Sequence, residues 1–212
     1  MKIVTPQQMQ EFDRRAVSEN GIPAETLMLN AGRGLVDCIV SLTARERLSR
    51  KIAICAGKGN NAGDAFCLAT LLPQGYEVTL ICLYGAGELS PAARHFFDKL
   101  QSSQAHIETT LVQSADDFLP LVSKVKGCDI IVDGLLGTGF TGDLSGTLKT
   151  AVKFINAFKK TVVSIDIPSG LHAETGRPSP IAVVADLTVT MGLPKTGMFL
   201  NEGPDHCGKI AV

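Results

Sequence analysis

The sequence has no Cys-x-x-Cys pair, no preponderance of one charge and no apolar run of bilayer-spanning length. Each absence argues against a class of protein. Six cysteines sit at positions 38, 55, 67, 82, 128 and 207, most inside apolar runs such as Ile52-Ala53-Ile54-Cys55. That pattern reads as buried, reduced thiols in a reducing compartment rather than a disulfide framework or a zinc site. A formal net charge of −1 provides no bulk field to draw the chain to DNA or to an anionic membrane. Small anionic ligands escape that argument, because a few backbone N–H groups hold a phosphate without net positive charge. The start, Met1-Lys2-Ile3-Val4-Thr5-Pro6-Gln7-Gln8, leads into a polar helical pattern and lacks the apolar core of a secretory signal. Without a spanning run, the expectation is a cytoplasmic protein with no membrane partner.

What is present is the alternation of an α/β fold. The segment 6–46 reads as two helices. Met9, Phe12 and Ala16 share one face, while Leu27, Ala31, Leu35, Cys38, Ile39 and Leu42 share another, with Gly21-Ile22-Pro23 between them. From residue 51 to 192 short β-branched runs alternate with helical patterns. Strands are expected at Ile52–Ala56, Val78–Leu83, Ile107–Thr109, Ile130–Val132 and Val162–Ile167. Helices are expected through Ala65–Leu72, Ala92–Leu100, Phe118–Val125 and Leu148–Phe158. Such alternation implies a mostly parallel central sheet with helices on both faces, a three-layer sandwich. Leu187–Thr190 and Lys209–Val212 show no helix between them and are expected to close the far edge. No repeat, low-complexity tract or linker divides residues 1–212, so one domain is expected. The chain stops inside an expected strand, a stop compatible with a further domain beyond it.

Ligands of an open parallel sheet bind outside the carboxyl ends of its strands, and three such ends carry unusual residues. Gly57-Lys58-Gly59-Asn60-Asn61-Ala62-Gly63-Asp64 joins a strand to a helix whose first N–H groups suit a phosphate. It is neither a G-x-G-x-x-G fingerprint in register nor a P-loop. Its adjacent asparagines add carbonyl oxygens that a cation or a ribose can use. In Val132-Asp133-Gly134-Leu135-Leu136-Gly137-Thr138-Gly139-Phe140-Thr141-Gly142-Asp143, a carboxylate closes an apolar strand and requires a partner against its desolvation cost. In Ser164-Ile165-Asp166-Ile167-Pro168-Ser169-Gly170-Leu171 a second carboxylate precedes a Pro-Ser-Gly turn. Read singly, each admits a plain structural reading as a turn or a cap. Read together, Asn60, Asn61, Asp64, Asp133, Asp166 and Ser169 form an oxygen-rich set suited to a hard cation, a sugar or a phosphate rather than zinc. The histidines at 95, 106, 172 and 206 lack metal-ligand spacing, and His172 reads as a surface loop residue. Lys195 could reach an anionic substrate but reads equally well as a solvated lysine.

At these loops the chain resembles the NAD(P)HX epimerase family, also called the YjeF N-terminal domain family. The family signatures Gly-x-Gly-Asn-Asn-Gly-Gly-Asp, Val-Asp-x-Leu-x-Gly-Thr-Gly and Asp-x-Pro-Ser-Gly correspond to G-K-G-N-N-A-G-D, V-D-G-L-L-G-T-G and D-I-P-S-G, in that order. Leu27-Met28-Leu29-Asn30-Ala31-Gly32 and Ala185-Asp186-Leu187-Thr188-Val189-Thr190 extend the likeness over nearly the whole chain. The resemblance implies a Rossmann-like fold, a homodimer, and an isomerase acting on hydrated NADH or NADPH in nicotinamide nucleotide repair. It also implies a dehydratase, fused or separate, as a partner. Substrate contacts would fall on Asn60, Asn61, Ala62, Gly63, Asp64, Gly137, Thr138, Gly139, Phe140, Thr141, Gly142, Asp143 and Asp166. A potassium ion would fall on Asn61, Asp133 and Ser169. Two departures stand out: Ala62 replaces a loop glycine, and Ala65 stands where a glycine commonly follows the aspartate. An added methyl is costly where a backbone must approach a ligand or adopt positive φ. Thr141 lies where some relatives carry a lysine, so no catalytic lysine is assigned there.

Inverting the hydrated carbon requires loss of hydroxide and return of water to the opposite face, hence an acid and a base. Asp133 is the expected proton carrier, with Asp166 second. A non-catalytic dinucleotide- or RNA-binding or dimerisation module of the same fold is the competing reading, which the joint presence of Asp133, Asp166 and Ser169 disfavours. An NAD-dependent dehydrogenase ranks last, because Glu77 falls too early for the acidic ribose ligand of a dinucleotide fingerprint.

Overall fold

A computed structural model describes residues 2–103 and 107–212; His106 lies outside the described residues. Among the described residues, seven strands form one sheet: β1 Lys51–Ala56, β2 Glu77–Cys82, β3 Ile107–Leu111, β4 Ile130–Gly134, β5 Thr161–Ile165, β6 Leu187–Val189 and β7 Lys209–Ala211. Their order is β3-β2-β1-β4-β5-β6-β7, and every neighbouring pair is parallel. The central strands read as continuous apolar runs because helices cover both faces of the sheet. Ile52, Ile54, Leu80, Ile130 and Val132 pack with helices α2 (Ala24–Glu46), α3 (Asn60–Leu71) and α4 (Pro91–Ser102). The alternate residues Ala53, Cys55, Ile81 and Ile131 pack with α5 (Leu121–Lys126) and α6 (Gly146–Asn156). The expected α/β three-layer sandwich is therefore present, and its sheet is parallel throughout.

Strand order reverses between β1 and β4, which opens a crevice at their carboxyl ends. The two loops leaving that point touch. A Cβ added to Gly57 would stand 2.0 Å from the Leu135 carbonyl oxygen, so only glycine fits the approach.

Several elements depart from the sequence expectation, each for a physical reason. Helix α3 starts at Asn60, so most of the Gly/Asn loop is the helix's first turn. Ala62 and Ala65 accordingly keep ordinary helical backbone, are fully buried, and need no positive φ. Strand β5 stops at Ile165, because Asp166 turns into the left-handed region at φ 65. The stretch expected as one helix at 118–125 is a 3-10 turn, Asp116–Phe118, followed by α5, whose N-cap is Pro120. Between β6 and β7 lie a 3-10 turn, Thr196–Met198, and a short helix α7 (Gly203–Cys207), which provide the crossover that parallel pairing demands.

Helix α1 (Pro6–Ser18) begins with a Thr5/Gln8 capping box, but its expected apolar face is only partly covered: Phe12 is 45% exposed. The segment before it is stitched to the far side of the chain, with Val4 N–H donating to Pro194 O and Thr196 N–H to Val4 O at 3.0 and 2.9 Å. Helix α2 corrects a further expectation. Its 23 residues are long and apolar enough, by length and composition alone, to cross a membrane. Met28, Leu35, Ile39 and Leu42 bury one face in the core, and Arg33 and Asp37 lie exposed on the other. At Gly32 a Cβ would meet Cys67 Sγ at 2.4 Å, so α2 and α3 are in close contact there. The six cysteines are free thiols; burial lifts Cys67, Cys82 and Cys207 to about 12, which keeps them protonated and unreactive.

Candidate functional site

Strand β4 carries Asp133 in register with Cys55 of β1 and Ser164 of β5. The carboxylate is fully buried and accepts four hydrogen bonds. They come from the Ser169 N–H at 2.8 Å, the Ser169 hydroxyl at 2.5 Å, the Ser164 hydroxyl at 2.9 Å and the Leu135 N–H at 3.3 Å. Burial raises its pKa and these donors pull it back, the compensation a buried carboxylate requires. Ser169 Oγ in turn accepts from the Leu136 N–H at 2.9 Å. The Asn61 amide donates to the Leu136 carbonyl at 2.8 Å and to the Ile165 carbonyl at 2.9 Å. Asn61 and Ser169, distant in sequence, thus meet at the backbone of Leu136, and Asp133 joins them through Ser169. The set is all oxygen with a single carboxylate, and among the described residues no three His, Cys, Asp or Glu side chains gather as a metal site. Such donors fit a hard, weakly charged cation, not a transition metal.

A second cluster lies beside the first and is built differently. Asp166, just past β5, keeps its N–H on the Val189 carbonyl at 2.8 Å while its side chain turns toward Lys195. Lys195 is buried, 1% exposed, and forms an ion pair with Asp166, which keeps 13% of its side-chain surface. The same ammonium donates to Thr190 Oγ1 and to the Met191 carbonyl, each at 2.9 Å. Asp166 Oδ1 also accepts from Thr190 Oγ1 at 3.3 Å and from the Met191 N–H at 3.2 Å. Asp64, in the second turn of α3, is buried nearby. Burial, then the like charges of Asp166 and Asp13, push its carboxyl well above the ordinary range, and Lys195 offsets only part of this. Asp13 of α1, exposed at the surface, is raised as well, by partial desolvation first and by the charge of Asp166 second.

The long loop after β4 forms the outer rim. Gly137 sits against Asn61, where a Cβ would stand 3.2 Å from Asn61 Oδ1. Gly139, Thr141, Gly142 and Asp143 are exposed, and Thr138 is half-buried. Phe140 stacks on His172 with ring centroids 5.7 Å apart, so His172 is part of the loop's support rather than a bare surface residue. The Ser179 hydroxyl lies 2.6 Å from Asp143 Oδ1 and 2.5 Å from the Gly142 carbonyl. Beyond β2 and β3 a cleft of about 350 Å³, lined by Tyr84, Gln113 and Ser145 among others, continues along the same rim, with Lys58 Nζ 4.8 Å from the centre of the Tyr84 ring.

Sequence reasoning locates the oxygen set, leaves Lys195 open between a substrate contact and a solvated lysine, and misses Ser164 and Asp13. Lys195 is buried and paired, not solvated. Its signal was slight: one lysine in an otherwise apolar and glycine-rich stretch. Ser164 was marked by being a hydroxyl within the apolar strand β5. Asp13 carried no signal, because its place depends on how α1 folds back. Asn60 is exposed at the rim, whereas Ala62, Gly63 and Asp64 are buried behind it. At Gly63 a Cβ would stand 2.5 Å from Met28 Sδ, so its packing against α2 accounts for the glycine. Asp133 has no exposed surface, so proton exchange with a ligand would first require Ser169 to move.

Residues 24–197 match a family model described as YjeF-related protein N-terminus. The chain is 32% identical, over 99% of its length, to the NAD(P)H-hydrate epimerase of Limosilactobacillus fermentum, and covers 94% of that protein. It is 34% identical, over 99% of its length, to the bifunctional NAD(P)H-hydrate repair enzyme Nnr of Salinibacter ruber, but spans only 40% of that protein. The crystal structure of yeast ynu0, YNL200c, superposes with a TM-score of 0.79 at 20% identity, covering 95% of this chain and 85% of that one.

Proposed function

Because the chain belongs to the YjeF-related protein N-terminus family, we propose that it is an isomerase interconverting the R and S epimers of hydrated NADH and NADPH. The observation that carries this reading is the meeting of three loops at the β1–β4 crevice, where Asn61, Asp133 and Ser169 join around Leu136. A dinucleotide would lie along this rim, over Asn60, the first turn of α3 and the loop from Gly137 to Asp143. Free N–H groups at the α3 start would face its phosphates. Asn61, Asp133 and Ser169 would hold a potassium ion. When bound, that ion supplies a fixed positive charge which orders the loops and offsets phosphate charge.

The chemistry needs one proton out and one proton back. The C–O bond beside the ring nitrogen breaks, its electron pair leaves on oxygen, and a protein acid protonates that oxygen to give water. The nitrogen lone pair becomes a C=N bond, so the ring is transiently cationic. Water adds to the opposite face, the C=N pair returns to nitrogen, and a protein base takes the released proton. Asp133, enclosed by four donors, is better suited to holding the loops and the ion than to this exchange. We place the reaction in the cytoplasm, in a homodimer, with a dehydratase consuming one epimer; relatives named as bifunctional repair enzymes support that partnership.

The test mixes purified protein with one isolated NADHX epimer, with and without potassium, and follows the other epimer by chromatography. Interconversion well above the spontaneous rate is expected. Binding without interconversion would leave only a dinucleotide-binding module.

A further inference from the structure

The cleft past β2 and β3 belongs to neither polar cluster, yet both loops of the proposed site border it. The loop from Gly137 to Asp143 runs on into Ser145 and Thr147, which line one wall. From the other side the Lys58 carbonyl accepts the Ser90 N–H at 2.8 Å, and Lys58 Nζ lies over the ring of Tyr84, another lining residue. Leu83 and Tyr84 leave the carboxyl end of β2, and Gln113 follows that of β3. In the strand order, the gap between β2 and β3 is three inter-strand steps from the gap between β4 and β5, about 14 Å at about 4.8 Å per step. That span crosses the switch point between β1 and β4, and a dinucleotide laid across a switch point places one nucleoside on each side. With the hydrated ring near Asp133 and Asp166, the other nucleoside reaches the cleft. A second cleft, of about 360 Å³, is lined by Thr161, Leu187 and Lys209 at the amino ends of β5, β6 and β7, the opposite end of the sheet.

Resting on the epimerase reading above, we infer that this cleft holds the adenosine half of the hydrated dinucleotide, and that Glu88 selects against a phosphate on its ribose. Tyr84 offers the base an aromatic surface, and Gln113, Ser145 and Thr147 offer amide and hydroxyl groups to its polar edge. Among the described residues lining the cleft, Glu88 alone is charged. It ends the 3-10 turn Ala86–Glu88, and its Oε2 accepts the Gly85 N–H at 3.1 Å, which fixes the carboxylate's position. A carboxylate accepts several hydrogen bonds, so Glu88 keeps capacity for a ribose 2′-hydroxyl in a charge-assisted bond. A phosphate there removes the donor and sets about two negative charges against the carboxylate. The neighbouring cations are engaged: Arg94 pairs with Asp98 and donates to the Ala86 carbonyl at 3.2 Å, and Lys58 lies on the Tyr84 ring. Glu77 opens β2 at the sheet's other end, whereas Glu88 follows the carboxyl end, the side on which such sheets bind ligands.

The experiment compares kcat/KM for hydrated NADH and hydrated NADPH in the wild type, Glu88→Gln and Tyr84→Ala, with folding checked by circular dichroism. The wild type should favour hydrated NADH at least about tenfold at low salt. Glutamine keeps an acceptor for the Gly85 N–H but carries no charge, so in Glu88→Gln the preference should shrink below about threefold. Tyr84→Ala should raise KM for both hydrates at least about fivefold and leave their ratio unchanged. A wild type indifferent to the 2′-phosphate, or a preference that survives Glu88→Gln, overturns the role of Glu88. Unchanged KM values in Tyr84→Ala put the adenosine elsewhere and overturn the whole inference. Should Glu88→Gln fail to fold, salt decides on the wild type: the preference should shrink as screening grows, and a salt-independent ratio overturns the assignment. A wild type that interconverts neither hydrate would remove the epimerase reading instead. Calorimetry with ADP-ribose and its 2′-phosphate then still tests the cleft, and equal binding of the two overturns the inference.

Discussion

Two polar clusters share one rim, and they handle buried charge in opposite ways. Around Asp133 every acceptor site meets a donor, the backbone is relaxed, and the three partners come from loops that the sheet already brings together. Around Asp166 a single buried ammonium pairs with one carboxylate, that residue is held at positive φ, and its charge adds to the burial that raises the Asp64 carboxyl. The first arrangement stabilises the fold and shapes a site. The second sets charge against charge.

The contrast can be broken by experiment. The largest effect is expected from Asp133→Ala, which leaves the Ser169 N–H, the Ser164 hydroxyl and the Leu135 N–H without their acceptor. A loss of about 3–5 kcal/mol, read from urea unfolding, is expected; a loss under about 1 kcal/mol would mean the cluster is not a structural node. Potassium should come next. At ten times its dissociation constant it should stabilise the wild type by about 1.4 kcal/mol, seen as a higher melting temperature than in an equal concentration of sodium, and Ser169→Ala should lose most of that gain.

The smallest effect has the opposite sign. Asp64 binds its proton more tightly in the folded than in the unfolded chain, so its contribution to stability is unfavourable at neutral pH. That penalty fades as the pH falls toward the ordinary carboxylate value. Asp64→Asn should therefore melt at a higher temperature than the wild type at pH 7. The gain should disappear in acid, while epimerisation falls. A destabilised Asp64→Asn would erase the distinction between the two clusters.

The sequence made the first cluster legible and largely hid the second. Asp133 and Ser169 end or follow apolar strands, where a polar residue is conspicuous and where topology guarantees a common edge. The strand alternation that predicts the sheet also predicts that Asn61 will meet them. Lys195 offered no such pattern. Its burial depends on the pairing of Val4 with Pro194 and Thr196, a contact between the two ends of the chain that no local periodicity encodes. The left-handed turn at Asp166 was invisible for a related reason: Val162–Ile167 is apolar enough to read as unbroken strand, and only the pull of Lys195 from one side and the β6 backbone from the other explains where it stops. Ala62 and Ala65 show the reverse error. Treated as loop residues they looked costly, but as helix residues they pack without strain.

The stitch between residues 4 and 194–196 bears on how the protein can be handled. The stretch shared with the family model begins at residue 24, yet the segment ahead of it braces the loop that carries Lys195. A version cut back to the shared stretch would keep the glycine-rich rim and Asn61, Asp133 and Ser169 while releasing the lysine's support. The boundary of the family model is therefore narrower than the unit that supports Lys195, and a bulky tag fused directly before Val4 would press on that loop.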